Sequence, residues 1–179
     1  MSVTQTYNRQ APSLDEVATL YQFIGRAIWL IQNLEDALSN SLTIKIGLKD
    51  EQLGSVDHSV ASAKLNRKRN LTLGQSVKIS RQNLLYEDSL QERLNVLLDE
   101  RNWLVHRLVH QSSDDMNVVT KREALFVRIH KILAEARELQ NLIAEDLINF
   151  CVLKGADRKG IEDTAKHEFS KGRGLHQNA

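Results

Sequence analysis

The chain has 179 residues, of which 41% are hydrophobic, and 24 Lys and Arg stand against 23 Asp and Glu. This length supports one domain with a core of its own and gives no ground for two, while the near balance of charge excludes a strongly basic or strongly acidic chain, so any basic surface must be local. The single cysteine excludes an intramolecular disulfide and a cysteine-rich zinc cluster, and we expect Cys151 to be a small core residue in a reducing cytoplasm.

The composition favours an all-α fold. One Pro and eight Gly interrupt a chain that is otherwise rich in Leu, Ala, Glu, Lys, Arg and Gln. There is no run of 18 apolar residues and no signal peptide, so we expect a cytoplasmic protein that does not enter a membrane. We predict one helical domain over residues 13–169, between disordered tails at 1–12 and 170–179.

The first predicted helix is long and carries one misplaced charge. Ser13 and Glu16 have the spacing of a capping box, and apolar residues then recur with a helical period up to Gly47. Glu35 projects from the centre of this apolar stripe. Because an ionised carboxylate is costly to bury alone, it needs a partner there.

The middle of the chain is less regular. Residues 49–70 have no clean period and are predicted to form a loop, with a short helix near 56–65 at most. Thr72 is a predicted N-cap for a short helix over 73–82. The loop ends in a basic cluster that could contact phosphate or could be an ordinary solvated loop, and its members are Lys64, Arg67, Lys68 and Arg69.

A third helix is predicted from a cap at Asp88 or Ser89 to His110, just before a polar turn. At 3.6 residues per turn its apolar residues fall on one stripe. They are Leu90, Leu94, Leu97, Leu98, Leu104, Val105, Leu108 and Val109.

The polar residues on this third helix are the candidate site. Arg101 lies in the middle of the apolar stripe, and a guanidinium is expensive to bury unless it is paired. We therefore predict that Arg101 contacts Glu35, with their charged ends within about 6 Å. Asn102 and His106 lie four residues apart on one edge of the stripe, and His110 continues that row.

Trp103 faces away from the predicted stripe. An exposed tryptophan is unusual enough to indicate a contact surface, so Trp103 supports a homodimer.

The last long helix is predicted from Val118 to Lys154, with Gly155 as its C-cap, and a short helix is expected within 161–169. The long helices show no sustained a/d heptads, which favours a bundle over a coiled coil. We predict an antiparallel bundle of two long and two to three shorter helices.

The third helix resembles a known ribonuclease signature. Arg101, Asn102 and His106 form R-N-x-x-x-H, which is similar to the R-x(4-6)-H motif found on a late helix of HEPN-domain ribonucleases. A long first helix with an inward Glu at 34–38 and a Thr-Leu-Gly helix start at 72–74 are similar to stand-alone bacterial HEPN proteins. The resemblance covers about residues 14–150.

The resemblance implies a function. Two protomers would place their motif helices across a shared cleft and cut RNA without a metal or cofactor, leaving 2′,3′-cyclic phosphate and 5′-hydroxyl ends. Arg101 would neutralise phosphate charge, His106 would transfer a proton, Asn102 would orient the phosphate or the histidine, and Glu35 would hold Arg101. It also implies a toxin–antitoxin or phage-defence setting, with an antitoxin or regulatory protein as a further partner.

Other interpretations stay open. Some toxins of this family extend the motif to R-x(4)-H-x-Y and are silenced by adenylylation of the tyrosine, but Leu108 stands at that position here. HEPN domains without cleavage activity exist, so the chain could be a non-catalytic interaction or ligand-binding module in which Arg101 and Glu35 form a structural pair. His110 is either a supporting site residue or an ordinary exposed histidine.

Overall fold

The computed structural model describes residues 8–49, 71–112 and 114–163, and every regular element in these ranges is helical, which confirms the predicted all-α class. The basic cluster at 64–69 and the predicted tail at 170–179 lie outside the described residues. Residues 158–163 are helical, and a 3-10 turn spans Asp115–Asn117. The longer elements are α1 (Leu14–Gly47), α2 (Leu73–Gln82), α3 (Asp88–His106), α4 (Leu108–Ser112) and α5 (Val119–Leu153).

The starts of α1 and α2 are set by local side chains. The Ser13 hydroxyl accepts a hydrogen bond from the Glu16 backbone N–H at 3.2 Å, and the Glu16 carboxylate accepts one from the Ser13 N–H at 2.7 Å. Thr72 and Gln75 form the same reciprocal box at the start of α2. Both predicted caps are therefore confirmed, because these side chains satisfy N–H groups that a helix leaves without partners.

The start of α3 differs from its prediction. Glu87 is the N-cap, one residue earlier than expected, and it makes no side-chain capping bond. The C-terminus of α5 lies one residue earlier than predicted, since Leu153 is its last residue and Lys154 is the C-cap. Gly155 follows with a φ of 98°, a conformation that suits glycine.

The two long helices run parallel to each other. Glu16 pairs with Arg122 near their N-terminal ends, where the Oε1–Nε distance is 3.0 Å, and Lys45 pairs with Asp146 near their C-terminal ends. The predicted antiparallel bundle is thus wrong for this pair. The reason is topological: α2 and α3 lie between α1 and α5 in the chain, and the chain reverses direction before α5 begins.

Helix α3 runs antiparallel to α5. Arg93 makes two hydrogen bonds to Glu135, at 2.7 and 3.0 Å, and Arg128 makes two to Glu100 at the same distances. Residues later in α3 therefore contact residues earlier in α5, which is the pattern of antiparallel helices. Since α1 is parallel to α5, α3 is also antiparallel to α1, and these two helix pairs have the predicted orientation.

Helices α1 and α5 pack through heptad spacing, contrary to the sequence expectation. The buried residues of α5 alternate at intervals of three and four, the a/d pattern of a coiled coil: Arg122, Leu125, Ile129, Ile132, Ala136, Leu139 and Ile143. On α1 the same spacing joins Ala27, Ile31, Leu34, Leu38, Ser41 and Lys45. Ala, Ser, Arg and Lys fill several of these buried positions, so the spacing is not visible as a repeat of large apolar residues.

Part of the predicted N-terminal tail is attached to the bundle. Arg9 forms an isolated β-bridge with Val118, and the Gln10 N–H donates to the Asn117 carbonyl at 2.9 Å. The buried Arg122 guanidinium donates to the Gln10 carbonyl at 3.0 Å. Residues 8–10 are therefore bound to the bundle, because the buried Arg122 and the backbone of residues 117 and 119 form hydrogen bonds with them.

Over the described ranges, no helix combines the length and apolarity needed to cross a bilayer.

Candidate functional site

Helix α3 ends earlier than its sequence predicts, and this divides the candidate site. Its last residue is His106, and Arg107 is the C-cap, whose N–H donates to the Trp103 carbonyl at 2.9 Å. His110 belongs to the separate short helix α4. The predicted continuous row of Asn102, His106 and His110 therefore does not exist on one helix.

Helix α3 is also rotated relative to its predicted stripe. Val105 is 45% exposed and Val109 on α4 is 75% exposed, although both were expected in the core. Trp103 was expected in solvent and is buried.

The burial of Trp103 has a local cause. The Arg128 guanidinium lies 3.6 Å from the centroid of the indole ring, and Glu100 holds that guanidinium in place through two hydrogen bonds. An indole covered by a paired cation gains more by facing inward than the smaller valines do. Trp103 therefore gives no support to a dimer.

The predicted contact between Glu35 and Arg101 is confirmed. The Glu35 Oε1 atom lies 3.9 Å from the Arg101 Nε atom. The side chains are 21% and 29% exposed, so the pair lies at the edge of the core and each charge keeps some hydration. The desolvation cost of the two charges is therefore smaller than it would be for a fully buried pair, which the sequence predicted.

Glu35 has a second partner that the sequence analysis did not find. Its Oε1 atom accepts a hydrogen bond from the Leu73 backbone N–H, at 3.2 Å, in the first turn of α2. A carboxylate is favoured there because the N–H groups of a helix start are unpaired and carry partial positive charge. The contact joins residues 38 positions apart, so no local motif could reveal it.

A close approach of α2 and α3 completes this junction. A Cβ added to Gly74 would lie 3.6 Å from the Leu98 Cδ1 atom, which is ordinary packing contact. The start of α2 therefore lies against α3, one helical turn before Arg101. Helices α1, α2 and α3 meet at the Glu35–Arg101 pair.

The structure brings three of the predicted site residues into contact. Arg101 Nη1 donates to the Asn102 side-chain oxygen at 3.4 Å, so Glu35, Arg101 and Asn102 form a connected set. His106 lies four residues beyond Asn102 in the last turn of α3 and is exposed. Among the described residues its ring has no hydrogen bond or ion pair. His110 is exposed on α4 and is not part of the connected set.

This arrangement can bind an anion and exchange a proton. A partly hydrated guanidinium and an amide can bind phosphate oxygens, and an exposed imidazole can accept or donate a proton. Within the part of the chain that the structure describes, no group of three or more His, Cys, Asp and Glu side chains could hold a metal ion.

A groove in the described part of the chain lies elsewhere. It has a volume of about 450 Å³ and runs between α3 and α5, where Val96, Leu97 and the Glu100–Arg128 pair line it. Neither Arg101 nor His106 reaches it. The candidate site therefore lies outside this groove, at the junction of α1, α2 and α3, where the side chains of Arg101 and Glu35 are partly exposed.

Comparisons with known proteins add no assignment. No family model matches the chain, and no match is found among curated proteins or solved structures. The likeness to HEPN ribonucleases therefore rests on the sequence features given above.

Proposed function

We propose that this chain is a metal-independent endoribonuclease with a HEPN-like bundle, and that Arg101, Asn102 and His106 carry the reaction. One observation carries the proposal most directly. Glu35 holds the Arg101 guanidinium at a surface where 29% of its side chain stays exposed, beside Asn102 and one turn before an exposed His106. A purely structural arginine would not need an amide and a histidine next to it.

The reaction would use the substrate's own nucleophile. The ribose 2′-hydroxyl attacks the adjacent phosphorus and His106 takes its proton; the bond to the 5′ oxygen then breaks as His106 returns that proton to the leaving oxygen. The products are a 2′,3′-cyclic phosphate and a 5′-hydroxyl. Arg101 would bind the phosphate as its charge grows, Asn102 would orient it, and Glu35 would keep the guanidinium in position.

The same proposal includes a shared cleft. In a homodimer, the exposed His106 of one copy would meet the phosphate held by Arg101 of the other, with His110 as a supporting residue. The setting we propose is a toxin–antitoxin or phage-defence system, in which an antitoxin or regulatory protein would cover this surface.

Cleavage of total RNA in the presence of EDTA tests the proposal. We expect wild type to produce cyclic phosphate ends, and we expect Arg101→Ala and His106→Ala each to lower the rate by about 10²-fold or more, since a positioned acid–base group contributes that much. Arg107→Ala is the matched control, because Arg107 is an exposed arginine on the same segment. Thermal melts must show that all three variants fold.

Equal cleavage by wild type and both site variants would reject the catalytic assignment. A mixture of Arg101→Ala and His106→Ala then tests the shared cleft. If each site takes one residue from each copy, mixed dimers contain one intact site and recover part of the activity. No recovery in mixtures shown to exchange subunits would mean that each site is built within one chain.

A second candidate function follows from the Leu73 contact. Glu35 fastens α1 to α2 and α3 whether or not any chemistry occurs, so the pair also suits a non-catalytic interaction or ligand-binding module. In that case RNA stays intact, and Arg101→Ala changes stability alone.

A further inference from the structure

The N-terminal half of α1 has an apolar surface with large exposed fractions. Leu14 is 88% exposed, Tyr21 is 69% exposed and Trp29 is 54% exposed. Ala18 and Gly25 are also exposed and lie in the same row, at intervals of three and four residues. We call these five residues the α1 outer face.

Among the described residues, no contact explains a glycine at position 25. It lies in the interior of a 34-residue helix, where glycine is less stable than alanine. A Cβ added there would meet no atom within 4 Å, so neither packing nor backbone conformation requires glycine. A glycine on an exposed apolar row has a use if the backbone of another helix approaches closely at that point.

Two charges border this face on one side. Asp15 and Arg26 are exposed, and neither has an ion pair among the described residues. Arg26 lies eleven positions after Asp15, which is about 16 Å along the helix axis. Their angular positions around that axis differ by only about 20°. In an antiparallel pair of identical helices, the same flank of each helix faces the other. Asp15 of one copy would then lie opposite Arg26 of the second copy.

From these features we infer that a second copy of this chain docks on the α1 outer face, with the two α1 helices antiparallel and the two-fold axis near Tyr21. This register places Ala18 opposite Gly25 of the second copy, which lets the helices approach closely. It also forms the Asp15–Arg26 pair twice. A single register therefore allows both the close approach at the small residues and the two ion pairs.

This interface is separate from the candidate site. Glu35 lies fourteen residues from Tyr21, about 21 Å along α1. Docking on the α1 outer face therefore leaves Arg101 and His106 accessible to RNA or to another copy. The inference goes beyond the proposed function and does not depend on it.

Charge-reversal variants test the inference by sedimentation equilibrium. We expect wild type to self-associate and Asp15→Arg or Arg26→Asp to weaken association about tenfold, because each places like charges opposite each other twice. The double variant should restore wild-type affinity. A mixture of the two single variants should associate more tightly than either alone, since one carries two basic and the other two acidic side chains on this flank.

The control is Arg137→Asp, which reverses an exposed arginine on α5 and should leave association unchanged. Gly25→Gln adds a second test, because it should raise the melting temperature of the chain at low concentration while weakening association. A monomeric wild type, or a dimer that none of the α1 variants affects, would overturn the inference. RNA cleavage by the same variants reports on the proposed function separately.

Discussion

Glu35 contacts two other helices through one carboxylate oxygen. Its Oε1 atom accepts from the Leu73 N–H at 3.2 Å and lies 3.9 Å from Arg101 Nε. The shorter contact is to the backbone of α2, so capping contributes to the role of Glu35 together with charge pairing. At this scale, the same residue fixes both the start of α2 and the position of the candidate catalytic arginine.

Substitution of Glu35 separates these two roles. Glu35→Gln keeps an oxygen that can accept from Leu73 but loses the charge, so we expect it to destabilise the fold by about 0.5–1 kcal/mol. Glu35→Ala loses both and should cost about 1–2 kcal/mol. Urea denaturation measures both values. Equal losses for the two variants would mean that the backbone cap contributes nothing.

At the scale of the element, the N-terminus of α1 is the best-defined helix end. The Ser13 N–H donates to the Glu16 carboxylate, and Arg122 lies 3.0 Å from the same carboxylate. These contacts hold the pKa of Glu16 below its ordinary value of 4.5, chiefly through the backbone hydrogen bond from Ser13 and with a smaller contribution from Arg122. The ionised form is therefore favoured by folding.

This pKa shift predicts a pH dependence. Because the folded pKa of Glu16 is lowered, its contribution to stability is present above about pH 4.5 and is lost as the pH falls through the folded value. We expect Glu16→Gln to melt at a lower temperature than wild type at pH 7, with the difference shrinking as the pH falls below 4.5.

Circular dichroism melts across this pH range measure the effect. Glu123→Gln, at an exposed position on α5, is the control and should follow wild type. A difference between Glu16→Gln and wild type that stays constant with pH would contradict the assigned role of the carboxylate.

At the scale of the whole molecule, a buried cation lies near each end of the parallel α1–α5 pair. Arg122 is 5% exposed at one end, and Lys45 is 6% exposed at the other. Lys45 pairs with Asp146, donates to the Leu85 carbonyl at 3.0 Å and lies over the Tyr86 ring. Burial raises the pKa of Tyr86, whose hydroxyl donates to Ser41 at 2.8 Å. We interpret the two cations as determinants of the register between the long helices.

The Lys45–Asp146 pair should respond unequally to loss of either partner. Asp146 is 37% exposed, whereas Lys45 is buried. Asp146→Asn leaves a buried ammonium without its counter-ion and should cost about 2–3 kcal/mol. Lys45→Met leaves a carboxylate whose Oδ2 atom is buried but whose side chain is 37% exposed, so it should cost less, about 1 kcal/mol. Urea denaturation of both variants measures the order, and a larger loss for Lys45→Met would contradict this account.

Several features could be derived from sequence because they depend on nearby residues or on the cost of burying charge. The capping boxes at Ser13 and Thr72 involve residues three apart, and the end of α5 depends on Gly155. The contact between Glu35 and Arg101 was predictable because two charges on apolar stripes each needed a partner. Capping between nearby residues and the cost of burying a lone charge do not depend on the details of the surrounding fold, so both can be predicted from sequence.

Only the tertiary structure decided the remaining features, because they depend on neighbours distant in sequence. Helical periodicity gives the angles between side chains of one helix, but it does not show how the helix is rotated about its axis relative to the core. For α3 that rotation depends on the Arg128–Glu100 pair, which covers the Trp103 ring. Chain order alone could not show that α1 and α5 are parallel, since non-consecutive helices can pack in either direction. The Leu73 N–H likewise reaches Glu35 only after α2 has packed against α1, so the fold decides which residues surround Arg101.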